Sequence, residues 1–133
     1  MIELPKKIYV DKSPIHGWGV FAKEIILKDE LIEETPYVSI FKRGEEKLEC
    51  NKNLLFDYRF AFPANINWEE QVIPFGCGCI YNHSDDANAY WETDVERNTL
   101  KYKAKRIIKP GEEICTYYGP VSYWNKREHI NLK

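Results

Sequence analysis

Phe75-Gly76-Cys77-Gly78-Cys79-Ile80-Tyr81-Asn82-His83-Ser84-Asp85-Asp86-Ala87-Asn88 is the stretch on which the reading of this chain turns. Its first half is made of small residues, which let one backbone approach another closely. Its second half is a polar cluster of Asn, His, Ser and Asn. Taken alone, Asn82-His83-Ser84 has the chemistry of a capped turn, in which short polar side chains bond nearby main-chain groups. Cys77 and Cys79, with His83 and Cys115, can be drawn as a zinc site, but structural zinc sites use C-x₂₋₄-C pairs and this C-x-C is off that pattern. Small buried thiols are the expected state, with no metal.

Two further segments stand out on either side. Gly17-Trp18-Gly19 follows a proline turn, Ser13-Pro14-Ile15-His16, and leads into an apolar run. Two glycines around an aromatic leave main-chain groups open to a ligand, although a β-turn with a bulge gives the same pattern. Gly111-Glu112-Glu113-Ile114-Cys115-Thr116-Tyr117-Tyr118-Gly119 is a glycine turn with two acids, then a strand ending in tyrosines. By itself that is an aromatic strand end facing a core.

Around these segments the chain reads as strands. Lys7 to Val10, Trp18 to Ala22, Leu31 to Glu34, Tyr37 to Phe41 and Ile114 to Tyr118 are β-rich, and Thr99 to Ala104 alternates Leu100, Tyr102 and Ala104 with polar neighbours. Leu48 to Phe62 is expected to hold a short helix and then an extended piece, ended by Pro63. No period of repetition stands out. The 133 residues suit one domain. A net charge of −2 argues against a nucleic-acid binder held by bulk charge. Repeated strand-helix-strand units with a glycine-rich turn are missing, which excludes a doubly wound nucleotide-binding domain. No apolar run approaches the roughly 18 residues of a membrane span. The first seven residues carry an acid and a proline where a signal peptide needs an apolar stretch, so a soluble intracellular protein of cytoplasm or nucleus is expected.

Together and in this order, the three segments resemble the SET-domain family of protein lysine methyltransferases. The family pattern is GxG near the start, (I/L)xNHSxxPN in the second half and GEE(I/L)xxxYG near the end. The resemblance runs from about Ile8 to Trp124, within a single domain over residues 1–133, and the spacings are similar to those of small viral and bacterial members without flanking zinc segments. It implies a mainly β fold with short helices: a β-clip-like arrangement of several small sheets with a C-terminal pseudoknot. The implied methyl donor is S-adenosylmethionine in a cleft on one face. The implied substrate is a protein (histone, ribosomal or other) whose lysine enters by a narrow channel from the opposite face.

What the resemblance implies for particular residues follows from the matched motifs. Tyr118 matches the catalytic tyrosine, which positions the amine and the methyl group. Gly17, Trp18 and Gly19 match the GxG that contacts the cofactor through its main chain. Asn82 and His83 match the Asn-His pair that meets the cofactor's amino and adenine groups, and Trp124 is placed to cover the adenine. Tyr58, Trp91 and Thr116, with Tyr118, are the expected channel residues, and the sizes of Trp91 and Thr116 bear on how many methyl groups fit. Ala87 stands where the family has proline, and Tyr117 where an acid is common. The alternative is a catalytically inactive SET-fold module that binds cofactor or a protein partner. A homodimer is compatible with the sequence. Direct nucleic-acid binding is not expected, because Lys101, Lys103 and Lys105 fall on one face of a strand, where a solvated face is the ordinary outcome.

Overall fold

The computed structural model describes residues 1–42, 60–62 and 70–117. These form ten strands: β1 (Ile8–Lys12), β2 (Trp18–Ala22), β3 (Leu31–Thr35), β4 (Tyr37–Lys42), β5 (Phe60–Phe62), β6 (Glu70–Pro74), β7 (Asn82–His83), β8 (Ala89–Asp94), β9 (Thr99–Ala104) and β10 (Glu113–Thr116). No helix occurs among the described residues. The helix expected after Leu48 lies outside them, apart from its extended end, which is β5.

Three small sheets result, in the orders β1-β2-β10-β7, β3-β9-β8 and β4-β6-β5. Every pairing is antiparallel but one. β10 lies parallel to β7, with Cys115 opposite Asn82 and Thr116 opposite His83. The strand from the end of the described chain is thus held between β2, near its start, and β7. This brings the Asn82-His83 segment and the last strand together, as the resemblance implies.

No period stands out in the sequence, yet a repetition is present in space. Ala22-Lys23-Glu24-Ile25-Ile26-Leu27-Lys28-Asp29-Glu30-Leu31-Ile32 and Ala104-Lys105-Arg106-Ile107-Ile108-Lys109-Pro110-Gly111-Glu112-Glu113-Ile114 share six of eleven residues. They make the same hydrogen bonds on each other. Ile26 and Ile108 exchange main-chain bonds of 2.9 and 2.8 Å at the centre. Ala22 donates its N–H to the Glu112 carbonyl and Ala104 donates to the Glu30 carbonyl; the Gly111 N–H returns to Ala22, and the Asp29 N–H to Ala104. Gly111 and Asp29 both hold positive φ, at 88° and 65°. Units β1-β2-β3 and β8-β9-β10 are therefore related by a pseudo-two-fold through the Ile26–Ile108 bridge, each lending its last strand to the other's sheet. Ala22, Ile26, Ala104, Ile108 and Ile114 are fully buried, and Ile32 is 6% exposed. Each of these isoleucines contributes about 1.5–3 kcal/mol by leaving water.

Leu100, Tyr102 and Ala104 of β9 are buried as their alternation requires. Tyr102 stacks on Tyr81 at 4.7 Å between ring centres, and Phe60 meets Trp91 edge-on at 4.7 Å. Inside this core sits an acid, Glu33, only 4% exposed. Tyr81 donates its hydroxyl to Oε1 at 2.7 Å and Cys77 its N–H to Oε2 at 3.0 Å. Burial pushes the Glu33 carboxyl above its ordinary range, and these two bonds pull it only part of the way back. Folding therefore favours the protonated form. The stability this contributes is fully present below the usual carboxylate value and is lost as pH rises through the raised one. Glu33→Gln, neutral at every pH and short of one acceptor, should melt below wild type near pH 4.5 and close the gap towards pH 8. A gap in melting temperature that widens with pH would show that the charge itself is stabilising.

The lysine-bearing face of β9 carries ion pairs. Lys101 lies 3.0 Å from Asp94 and Lys103 lies 2.5 Å from Glu92, both on β8. These are cross-strand pairs on a solvated face.

Candidate active site

The site is built where β2, β7 and β10 meet. Gly17 sits at φ 47° with open space where a Cβ would be, so the turn can be approached closely there. Trp18 is 58% exposed beside it. Gly19 faces inward, and a Cβ on it would overlap the Glu113 carboxylate. The glycines of this tripeptide thus serve different ends: the first leaves a surface open, and the second lets an acid come up underneath.

Asn82 fastens that turn. It is 7% exposed, and its amide nitrogen donates to the carbonyls of His16 (3.1 Å) and Trp18 (3.2 Å) and to Glu113 Oε2 (2.8 Å). Glu113 also accepts the Ser13 hydroxyl, at 2.7 and 2.9 Å from its two oxygens, and Ser13 Oγ accepts the Ile15 N–H at 2.9 Å. One network therefore joins the turn before β2, the start of β10 and β7. The side-chain donors of Asn82 are directed at protein groups, so its support of a ligand runs through the turn it holds.

His83 is 5% exposed, with Nε2 at 2.9 Å from Asp85 Oδ1. Its ring lies 5.4 Å from that of Tyr117, the last described residue. Thr116 is 2% exposed in the parallel ladder opposite His83, and Ser84 donates its N–H to the Thr116 carbonyl at 3.1 Å. Trp91, on β8, lines an open cavity of about 210 Å³ with Ala87, Ala89, Tyr90, Lys105 and Tyr117. Thr116 is not among the residues lining that cavity; its neighbour Tyr117 is. Tyr58, Tyr118 and Trp124 lie outside the described residues.

Asn88 has a part that the motif did not disclose. It is 6% exposed; its Nδ2 donates to the Glu113 carbonyl and its Oδ1 accepts the Cys115 N–H, both at 2.9 Å. A side-chain amide thus acts as one more rung on β10. Ser13, Glu113 and Asn88 are the residues that sequence reasoning missed. Glu113 and Asn88 stood inside the quoted motifs, where their spacing alone says nothing of their partners; Ser13 had no signal beyond its proline turn.

Burial pushes the thiols of Cys77, Cys79 and Cys115 up to about 11, so they keep their protons at neutral pH. Among the described residues no three His, Cys, Asp or Glu side chains converge as a metal site.

The SET-domain family model matches residues 17–119, which spans all three motifs. The chain is 33% identical over 122 residues to a Schizosaccharomyces pombe protein named histone-lysine N-methyltransferase, H3 lysine-37 specific; the match covers 85% of this chain and 78% of that one. It is 26% identical over 131 residues to the Arabidopsis thaliana histone-lysine N-methyltransferase MEDEA, covering 90% of this chain but 18% of that protein. A crystal structure of a Plasmodium falciparum protein described as a candidate histone methyltransferase superposes with a TM-score of 0.69 at 37% identity, over 87% of this chain and 96% of that one. A turn fastened by Asn82, a parallel β7–β10 pair and a family match across both lead to one conclusion: this chain belongs to the SET-domain family.

Proposed function

We propose that this chain is a protein lysine N-methyltransferase that uses S-adenosylmethionine, with Tyr118 as its catalytic residue. The observation that carries the reading is the Asn82 network. It ties the open Gly17–Trp18–Gly19 turn to the β7–β10 junction, and Tyr118 follows two residues after Thr116, which is paired with His83. This supports a donor site at the turn, with the tyrosine of the last motif two residues beyond the paired strand in sequence. The names of the relatives support a histone lysine as the substrate class.

The turn suits the methyl donor on three counts. Its Gly17 face is open, Trp18 offers an exposed aromatic surface, and the Glu113 carboxylate supplies negative charge for a cationic ligand. S-adenosylmethionine, when bound, supplies an electrophilic methyl group on a sulfonium. The chain's own residues have to deliver a neutral amine in line with it. Free lysine, with a pKa near 10.4, is almost wholly protonated at pH 7. Aromatic walls exclude water and disfavour the ammonium, which lowers that value. Trp91 supplies one such wall, at the 210 Å³ cavity it shares with Tyr90 and Tyr117. The hydroxyl of Tyr118 then orients the amine lone pair. Tyr58 is proposed as a further channel wall and Trp124 as a cover for the adenine.

Calorimetric titration with S-adenosylhomocysteine tests this without knowledge of the substrate. Wild type should bind stoichiometrically. Trp18→Ala removes an exposed side chain, so its melting temperature should move little, while affinity falls about fivefold or more through lost stacking. His83→Ala should weaken binding by about tenfold, more than it weakens folding. An unchanged affinity with a lowered melting temperature makes His83 a structural residue, and no binding by wild type at millimolar ligand returns the chain to the non-catalytic alternative.

A further inference from the structure

Glu113 carries a charge that its surroundings do not balance. Its hydrogen-bond donors are the Ser13 hydroxyl and the Asn82 amide, both neutral. No Lys or Arg nitrogen among the described residues pairs with it, whereas Glu30, Glu34, Glu92 and Asp94 each have such a partner. The carboxylate is half-buried and lies directly against Gly19, where a Cβ would force it to shift. Neutral donors satisfy hydrogen bonds but leave the net charge in place. A neutral acceptor would fasten the same turn, so the hydrogen bonds alone do not call for an acid here.

We infer that the Glu113 carboxylate, pinned by Ser13 and Asn82 beneath Gly17–Trp18–Gly19, is a positioning residue that makes this turn favour a sulfonium ligand over its neutral thioether product. The inference rests on the cofactor reading of the turn given above. It would have a use in turnover: with the methyl group passed to the lysine amine, the remaining thioether would be neutral, and Glu113 would hold it less well than fresh donor. The ammonium and carboxylate of the ligand are common to both forms, so a comparison of the two isolates the charge at sulfur.

The test is calorimetric titration of wild type, Glu113→Gln and Ser13→Ala with S-adenosylmethionine and with S-adenosylhomocysteine. Glu113→Gln should lower the preference for the sulfonium form by roughly threefold to tenfold, the range for unit charges several ångströms apart at a dielectric close to that of water. Ser13→Ala removes a hydrogen bond from the same network but keeps the charge, so the preference should hold within about twofold even as the melting temperature falls. Equal weakening of both ligands by Glu113→Gln overturns the inference and leaves the residue purely structural. Loss of binding of both ligands by wild type overturns the cofactor reading and this inference with it. If Glu113→Gln does not fold, wild type serves: the preference should shrink as salt is raised, because the charge interaction is screened, and a preference independent of salt overturns the inference.

Discussion

Tyr118→Phe is expected to leave S-adenosylhomocysteine affinity within about twofold of wild type and to lower methyl transfer by about 100-fold or more. The ring survives the change, so an aromatic wall that disfavours the lysine ammonium survives with it. What goes is one hydroxyl, the group proposed to accept an amine N–H and so to fix where the lone pair points. In-line displacement is steep in that geometry. Removing one oriented polar group from a reacting centre typically lowers turnover by about 10²–10³, some 2.7–4 kcal/mol. The adjacent tyrosine makes the control. Tyr117 is 49% exposed and its ring lies beside His83, a contact that phenylalanine keeps. Tyr117→Phe should therefore stay within about threefold of wild type. Transfer of a labelled methyl group into histones, measured beside calorimetry on the same preparations, separates the two. Equal turnover by Tyr118→Phe would show that another group orients the amine.

Much of this was legible in the sequence because the relevant signals are local. The β9 alternation puts Leu100, Tyr102 and Ala104 inside, and the structure buries all three. Glycines at 17 and 19 announce an unusual turn, and the order of the three motifs points to the family. Strands β6 and β8 were not legible. Glu70–Pro74 ends in proline, and β8 is buried only at Ala89 and half-buried from Tyr90 to Asp94, so neither shows a strong period of two. The pseudo-two-fold was missed for another reason. Its two eleven-residue copies occur once each, far apart, with different residues at the turn: Lys28-Asp29 in one and Pro110-Gly111 in the other. Only the reciprocal hydrogen bonds make them the same object.

The site itself depends on contacts that no spacing encodes. Ser13 and Glu113 touch across nearly the whole described chain, and Asn82 reaches back to Trp18. The symmetry explains why such contacts arise. Because each unit lends its last strand to the other, the turn of one unit must lie over the strand of the other. The two units then differ in what lies beyond the borrowed strand. β10 gains β7 as a parallel neighbour, whereas among the described strands β3 has β9 alone as its sheet partner. A symmetric frame thus carries an asymmetric site, on the β10 side.

That frame makes Asn88 the residue whose exchange should be felt most in stability. Its amide is read in one direction only: Nδ2 must donate to the Glu113 carbonyl while Oδ1 accepts from the Cys115 N–H. Asn88→Asp keeps the acceptor and replaces the donor with an oxygen, set against a carbonyl oxygen 2.9 Å from where the amide nitrogen stood. At neutral pH the result is a buried, unpaired charge, which costs about 3–5 kcal/mol, a large share of the 5–15 kcal/mol a domain possesses. The sign with pH follows. Burial and the facing carbonyl raise the folded-state pKa of the new acid above its unfolded value near 3.9. Stability is therefore recovered as pH falls through the raised value, where the protonated carboxyl can donate as the amide did, and is lost again as pH rises. Asn88→Ala forfeits both bonds at every pH, about 2 kcal/mol, with no such slope. Urea denaturation at pH 5 and pH 8 distinguishes them: Asn88→Asp should be the worse variant at pH 8 and should overtake or match Asn88→Ala at pH 5. Two parallel lines would mean that the amide is not a rung of β10. Because β10 leads directly to Tyr118, loosening it should lower cofactor affinity and turnover together. Tyr118→Phe is expected to have the opposite signature, turnover lost with affinity kept, and the contrast would separate the effect of the strand from that of the hydroxyl proposed to act.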